Sequence, residues 1–247
     1  MIITLKDMVS IITGTLNRLD LLPKIIANTV DTNDKLELVL IDGGSTDGTI
    51  EYVKNLNHSQ IKFIEVGNRS SYPHFMNLGI KQSKYELVCQ WNDDVLLVNN
   101  WDDVIKELDS NYDFYLFNWK YGSESDMNDP DWISGIYHEN QNNKGWCLLD
   151  QANNDGEIVM NYGIYDKKIF RKIGMYNNEY KYYYVDGDMA YRAHKFGYKH
   201  KSLYNIKVCS LITNKNAIQH EGDSTIYNNN LSLYIQGKLS EHIEFLK

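Results

Sequence analysis

Four short polar clusters hold the residues of this 247-residue chain that could do chemistry. They are Gly14-Thr15-Leu16-Asn17-Arg18, Asp42-Gly43-Gly44-Ser45, Asn92-Asp93-Asp94 and Asp186-Gly187-Asp188. Three of them carry carboxylates. Adjacent carboxylates repel one another, so a group of them invites a divalent cation held by oxygen ligands. Such a cation would also neutralise a bound diphosphate, which a chain of net charge −8 would otherwise repel. Each cluster has a plainer use as well. Asp42-Gly43-Gly44-Ser45 is turn chemistry that can cap a following helix. Asp186 and Asp188 suit the N-terminus of a helix, and Arg192, four residues after Asp188, makes an ordinary helical ion pair.

The clusters act together only if the elements around them bring their ends together. Residues 9–13 are a short β-rich run stopped by Gly14, and residues 19–30 have apolar positions at helical spacing. Residues 36–41 form a near-continuous apolar run, as in a strand covered on both faces. A helix at 49–56, a strand at 61–66, a helix at 72–82 and a strand at 85–91 follow. Alternation of this kind predicts right-handed βαβ units and a mostly parallel sheet, with ligands beyond the carboxyl ends of the strands. Three of the clusters directly follow predicted strands.

The second half is less regular. A helix is expected at 99–108, a strand at 114–121, and a long polar loop at 122–156. A strand at 158–165, a helix at 166–173 ended by Gly174, a helix at 186–196 ended by Gly197, and one or two strands within 198–213 complete the pattern. Leu231, Ile235, Leu239, Ile243 and Leu246 fall on one helical stripe at the C-terminus, expected to pack on its own domain.

Composition narrows the class. Hydrophobic residues make up 43% of the chain and charged residues 23%, which supports a sizeable core and excludes wholesale disorder. The acidic balance argues against nucleic acid as a partner. Cys89, Cys147 and Cys209 stand far apart with no CxxC pair, which reads as reduced structural thiols. No apolar stretch approaches the ~20 residues of a membrane helix, and the charged N-terminal segment is a poor signal peptide. A cytoplasmic protein is expected, with a peripheral contact at the inner face of a membrane and a homodimer both left open.

Five segments, in order, resemble family 2 glycosyltransferases of the GT-A type. They are VSIITGTLNR at 9–18, LVLIDGGSTDGTIEYV at 38–53, MNLGI at 76–80, ELVCQWNDDV at 86–95 and IGMYNNEYKYYYVDGDMAYRAHKFGY at 173–198. The resemblance implies a single α/β domain over 1–247 with the GT-A fold, a mostly parallel central sheet and flanking helices. Residues 1–98 would be the nucleotide-binding half and 99–247 the acceptor-binding half with a C-terminal helix. It implies metal-dependent, inverting transfer of a hexose-type sugar from a nucleotide-diphosphate sugar, UDP favoured, to a glycan or lipid-linked acceptor. The cofactor would be Mn2+ or Mg2+.

Residue by residue, the resemblance places Thr13, Gly14, Thr15 and Asn17 at the nucleotide, with Asp42 accepting from base or ribose and Gly43 beside it. Arg69 and Asn77 join the substrate set. Asn92 and Asp93 would contact ribose or sugar. Asp94 would be a metal ligand that His220 completes, and Asp186 the general base. Trp119, Trp132 and Trp146 are available to stack on sugar rings or to anchor the core. The chain departs from the family in three places. It has Asp42-Gly43-Gly44 where Asp-Asp-Gly is usual, Trp91 or Asn92 at the first position of the DxD motif, and Val185 in place of the Glu before Asp186. Two rivals follow. One is a catalytically inactive nucleotide- or carbohydrate-binding protein of the same fold. The other is a nucleotidyltransferase, which would call for a more glycine-rich and basic loop after the first strand. A dinucleotide oxidoreductase is disfavoured because no GxGxxG follows that strand.

Overall fold

The computed structural model describes residues 7–134, 162–211 and 222–247. Its first half alternates as expected: β1 (Val9–Thr15), α1 (Leu22–Asn28), β2 (Leu36–Asp42), α2 (Thr49–Leu56), β3 (Ile61–Glu65), α3 (Tyr72–Gln82) and β4 (Leu87–Gln90). Helix α1 starts later than the apolar spacing suggested because Pro23 sits in its first turn, where a missing N–H is harmless. A short strand absent from the sequence reading, β5 (Val95–Leu97), follows β4 directly. Then come α4 (Trp101–Lys106), β6 (Phe114–Gly122), a 3₁₀ turn (Asp126–Asn128), α5 (Pro130–Ser134), β7 (Gly163–Asp166), α6 (Lys167–Ile173), α7 (Val185–Lys195), β8 (His200–Leu211) and α8 (Asp223–Ile235). Asn100 caps α4, its side chain accepting the Asp103 N–H at 2.9 Å.

The strands form one eight-stranded sheet in the order β3-β2-β1-β4-β7-β6-β8-β5. Pairing is parallel across β3-β2-β1-β4. Beyond β4 the sheet is mixed: β7 is antiparallel to both β4 and β6, β8 is parallel to β6, and β5 is antiparallel to β8. The region 198–213 yields a single strand, β8, whose pairing with β6 shifts register between Phe117 and Asn118.

Helices cover both faces. On one, Val9 and Ile11 of β1 pack with Leu22, Ile25 and Ile26 of α1 and with Trp101 of α4. On the other, Ile12 packs with Met76 and Ile80 of α3, and that cluster continues through Phe170 of α6 and Met189 of α7. Helix α3 lies so close to β1 that a Cβ on Gly79 would stand 2.2 Å from Ile12 Cγ2. Gly79→Ala is therefore expected to destabilise the fold by about 1–3 kcal/mol through overpacking, read as a lower midpoint in urea.

Leu231, Leu239, Ile243 and Leu246 of the C-terminal stripe pack on the domain as expected, but not as one helix. Helix α8 stops at Ile235, and Gly237 at φ 72 turns the chain away. Ile235 is 64% exposed, and the enclosed positions of α8 are Asp223, Tyr227, Asn230 and Tyr234. Ile243 belongs to a non-helical tail that folds back, its Cγ2 2.0 Å from where a Gly174 Cβ would lie. The Met175 N–H donates to the Glu244 carbonyl at 2.7 Å and ties that tail down.

Candidate functional site at the switch point of the sheet

Strands β1 and β4 are neighbours, yet the chain continues from β1 to β2 on one side and from β4 toward the opposite edge. A crevice opens at the carboxyl ends of two such strands, the place where open α/β sheets bind ligands. The loop after β1 carries Asn17-Arg18 and the loop after β4 carries Asn92-Asp93-Asp94. The structure joins them: Arg18 Nε stands 3.7 Å from Asp93 Oδ2, with side chains only 8% and 16% exposed.

Burial lifts the Asp93 pKa to about 7 even though the Arg18 guanidinium opposes it. The Asp94 charge pushes the same way as burial, while the Thr15 hydroxyl and the Leu16 amide pull back. Arg18 is itself 7% exposed, and its Nη1 has no hydrogen-bond partner among the described residues. Nothing in the four-cluster pattern singled out Arg18 for this part. Trp91 anchors the Asp93 loop from beneath, fully buried and donating from its indole nitrogen to the Val95 carbonyl at 3.1 Å. Asp94 is joined to the end of β8, its carbonyl accepting the Leu211 N–H at 2.8 Å.

The tips of β1 and β2 are laced together. The Asn17 N–H donates to Ser45 Oγ at 2.9 Å and the Thr46 N–H donates to Asn17 Oδ1 at 2.7 Å. The Leu19 N–H donates to Asp47 Oδ2 at 3.0 Å, and the Gly43 N–H donates to the Thr15 carbonyl at 2.9 Å. Asn17 adopts φ 54 to make its pair of bonds, a conformation that asparagine tolerates better than most. Gly44, at φ 91, passes so near the next loop that a Cβ would lie 2.7 Å from the Gly67 carbonyl oxygen.

Asp186 lies in the first turn of α7, half-buried, with Oδ1 accepting the Gly187 N–H at 2.9 Å. Burial raises its pKa to about 6, against the pull of the Gly187 and Asp186 amides. Its charge acts on Tyr176, whose hydroxyl donates to Gln90 Oε1 at 2.8 Å at the end of β4. Gln90 stands three residues before Asp93 in the chain. Tyr162 makes the closer link. Burial pushes its phenol pKa up, the Ser210 hydroxyl eases it, and the charges of Asp94 and Asp186 both press it higher. Asp94 and Asp186 thus act on the same phenol from two different segments of the chain. Tyr162 sits just before β7, in a stretch the sequence offered only as a plain strand.

Three expected substrate contacts are enclosed and bonded within the chain. Asp42 is 0% exposed, and its carboxylate accepts from the Gly44 N–H at 2.8 Å, the Ser45 N–H at 2.9 Å and the Ser45 hydroxyl. It builds its own loop and has no open face for a base or ribose. Thr13 is also 0% exposed, its hydroxyl turned to the Gly14 carbonyl at 3.3 Å. Asn77 spends both ends of its amide on the chain: Oδ1 accepts the Tyr176 N–H at 2.9 Å and Nδ2 donates to the Tyr176 carbonyl at 2.8 Å. It fastens α3 to the segment leading toward α7.

The other expected residues stay at or near the rim. Gly14 is half-buried beneath the Phe75 ring, and Thr15 faces Asp93. The Arg69 backbone lies 3.6 Å from where a Gly43 Cβ would be, and its exposed guanidinium sits 5.5 Å over the Tyr182 ring, four residues before Asp186. Asn92 is half-buried beside Asp93. His220, Trp146 and Cys147 lie outside the described residues. Trp119 and Trp132 pack against the core rather than standing free. Asp188 is fully buried, receives the Tyr180 and Tyr234 hydroxyls at 2.9 and 2.7 Å, and pairs with Arg192 at 3.6 Å.

The acidic clusters lead to the expectation of a divalent ion. Among the described residues no three His, Cys, Asp or Glu side chains converge as a metal cage. With Asp93 turned to Arg18, Asp94 is the remaining carboxylate of its motif. One carboxylate suits an ion of the Mg2+ type, which takes its other ligands from substrate phosphates and water.

The fold and family are independently recognisable. Over 84% of its length the chain superposes on 58% of a mannosyltransferase, PcManGT from Pyrobaculum calidifontis, solved with GDP-Man and Mn2+, at TM-score 0.59 and 16% identity. Over 95% of its length it superposes on 68% of S. aureus TarS 1-349, solved with UDP-GlcNAc, at TM-score 0.68 and 16% identity. The chain thus spans roughly three-fifths to two-thirds of those structures. No curated protein sequence matches it. Among the described residues no helix is long and apolar enough to cross a membrane. The family model "Glycosyl transferase family 2" matches residues 10–174, two-thirds of the chain and the stretch that holds β1 through α6 with the crevice loops, so the chain belongs to that family.

Proposed function

We propose that this chain moves a hexose-type sugar from a nucleotide-diphosphate sugar, UDP favoured, to a hydroxyl of a glycan or lipid-linked acceptor, inverting the anomeric centre. The observation that carries the reading is the family match over residues 10–174, and Asp94 and Asp186, whose charges both act on Tyr162, support it. The nucleotide half is assigned to residues 1–98, whose laced loops form the crevice rim, and the acceptor half to 99–247.

Asp186 accepts the proton of the acceptor hydroxyl. The freed oxygen bonds to the anomeric carbon from the face opposite the diphosphate, which leaves with the electrons of the broken C–O bond. A pKa of about 6 keeps the carboxylate ionised at neutral pH while leaving it more basic than an ordinary aspartate. Asp94 would hold Mn2+ or Mg2+ jointly with the diphosphate, with His220 as the added ligand from the sequence. The ion supplies charge neutralisation for the leaving group. Asp93, restrained by Arg18, is assigned to ribose or sugar.

UDP-GlcNAc and GDP-mannose, each with and without Mn2+, test this by melting temperature and by release of free nucleoside diphosphate. A ligand at a hundred times its Kd adds about 2.7 kcal/mol, on the order of 5–10 °C for a chain of this size. Binding and slow hydrolysis of one donor are expected, with Asp94→Ala losing the Mn2+ requirement along with most of the affinity. Failure of both donors to shift the transition would refute the reading. A shift with no turnover would favour the inactive binder of the same fold, for which the Arg18–Asp93 pairing already speaks.

A further inference from the structure

We propose that Asp223 positions Asp186 for proton transfer by fixing the turn from which α7 starts, an inference that rests on the reading of Asp186 as the base. Asp223 opens α8 and is 1% exposed. Its Oδ1 accepts the Lys181 N–H at 3.0 Å, and its Oδ2 accepts the Tyr182 and Tyr183 N–H groups, each at 2.9 Å. Three successive amides converge on one carboxylate from an element some 40 residues later in the chain. Consecutive amides of this kind make a concave seat for an anion, and bonds to an ionised acceptor are the stronger sort. Here the chain fills the seat with its own carboxylate.

The next residue, Tyr184, has φ 63. Side-chain-bearing residues rarely adopt that conformation, and it persists only where the surroundings over-determine it. The Tyr184 carbonyl accepts the Asp188 N–H at 2.8 Å and so begins the first turn of α7, within which Asp186 lies. The direction of the turn at Tyr184 is therefore the direction in which Asp186 leaves the backbone. Other contacts hold the segment in place. The Tyr72 N–H donates to the Lys181 carbonyl at 2.7 Å, and Arg69 covers the Tyr182 ring. Asp223 binds the successive amides that set its curvature. Asp223 is enclosed and acts through the backbone, as a positioning residue.

Asp223→Asn keeps the volume and one acceptor oxygen but loses the charge and part of the bonding. In that variant kcat for the donor turned over by the native chain is expected to fall ~100-fold, the loss typical of a 1 Å misplacement. Its KM for the donor and its UDP affinity should stay within about twofold, because neither depends on the orientation of the base. Adding Tyr184→Gly should recover at least tenfold of kcat, since glycine takes the left-handed turn without steric cost. A purely structural role would lower the melting temperature and show no such rescue.

A crystal structure of Asp223→Asn gives a reading independent of turnover: Tyr184 should leave positive φ and the Asp186 carboxylate should shift. Unchanged kcat in folded Asp223→Asn, or an unmoved Asp186 with Tyr184 still in the left-handed turn, overturns the proposal. Should the native chain turn over no donor, the transferase reading falls, and the position of Asp186 in the variant crystal still decides this one. If Asp223→Asn alone does not fold, the double variant compared with Tyr184→Gly carries the same measurements.

Discussion

Replacing Asp186 by asparagine is expected to cut turnover by ~10²–10⁴-fold, the usual worth of a positioned general base, and at the same time to make the protein more stable at pH 7.5. Both effects come from one fact, a carboxylate held where burial resists its charge. Its folded pKa, about 6, lies above the ordinary value of 3.8. Between those two values the folded chain binds more protons than the unfolded one, so stability falls as pH rises across the window. Above pH 6 the full penalty is present, at most about 3 kcal/mol for a shift of this size. Asparagine carries no charge and escapes it. Melting temperatures should therefore diverge at pH 7.5, with the variant higher, and converge near pH 4. Nucleotide affinity should stay near that of the native chain. A variant that keeps its turnover would remove Asp186 as the base, and one that melts no higher at pH 7.5 would show the carboxylate to be well solvated.

The second large effect is expected at Arg18. Truncating one partner of a buried ion pair commonly costs about 3–5 kcal/mol because it strands the other charge. Arg18→Met keeps most of the volume and leaves Asp93 without its guanidinium, 3.7 Å away in the native chain. Asp93 has an escape, since it can protonate, and its native pKa of about 7 would then climb further. The loss should accordingly depend on pH in a definite direction. A carboxylate with a raised folded pKa costs more as pH rises through the interval between its unfolded and folded values. The variant should lie within about 1 kcal/mol of the native chain at pH 5.5 and fall roughly 3 kcal/mol behind at pH 8.5. Urea titrations at the two pH values measure this. An equal deficit at both would mean that Arg18 contributes packing and no charge pairing.

The fold was readable where local chemistry and tertiary need agree. The continuous apolar run of β2 and the Gly, Asp and Ser that end it predict a covered strand and a tight exit, and both are present. The three-residue β5 escaped because its place is fixed by pairing with β8, more than 100 residues away. The C-terminal stripe misled because its spacing ran on past Gly237, whose backbone freedom ends the helix.

The site divides in the same way. Asp93, Asp94 and Asp186 stand at strand or helix ends, where sequence places polar residues that have work to do. Asp42 and Asn77 look alike in type but are consumed by backbone bonds, and the sequence has no mark for that difference. Arg18, Tyr162 and Asp223 gain their meaning only from partners far along the chain.

The bonds that lace Asn17 to Ser45 and Thr46, and Gly43 to Thr15, also bear on the entropy of recognition. Quieting a loose loop is among the penalties of any association. At this lip the quieting is completed while the protein folds. A guest settling there gives up its own freedom and asks little further stillness of its host, so contacts at the lip translate into residence time with little discount.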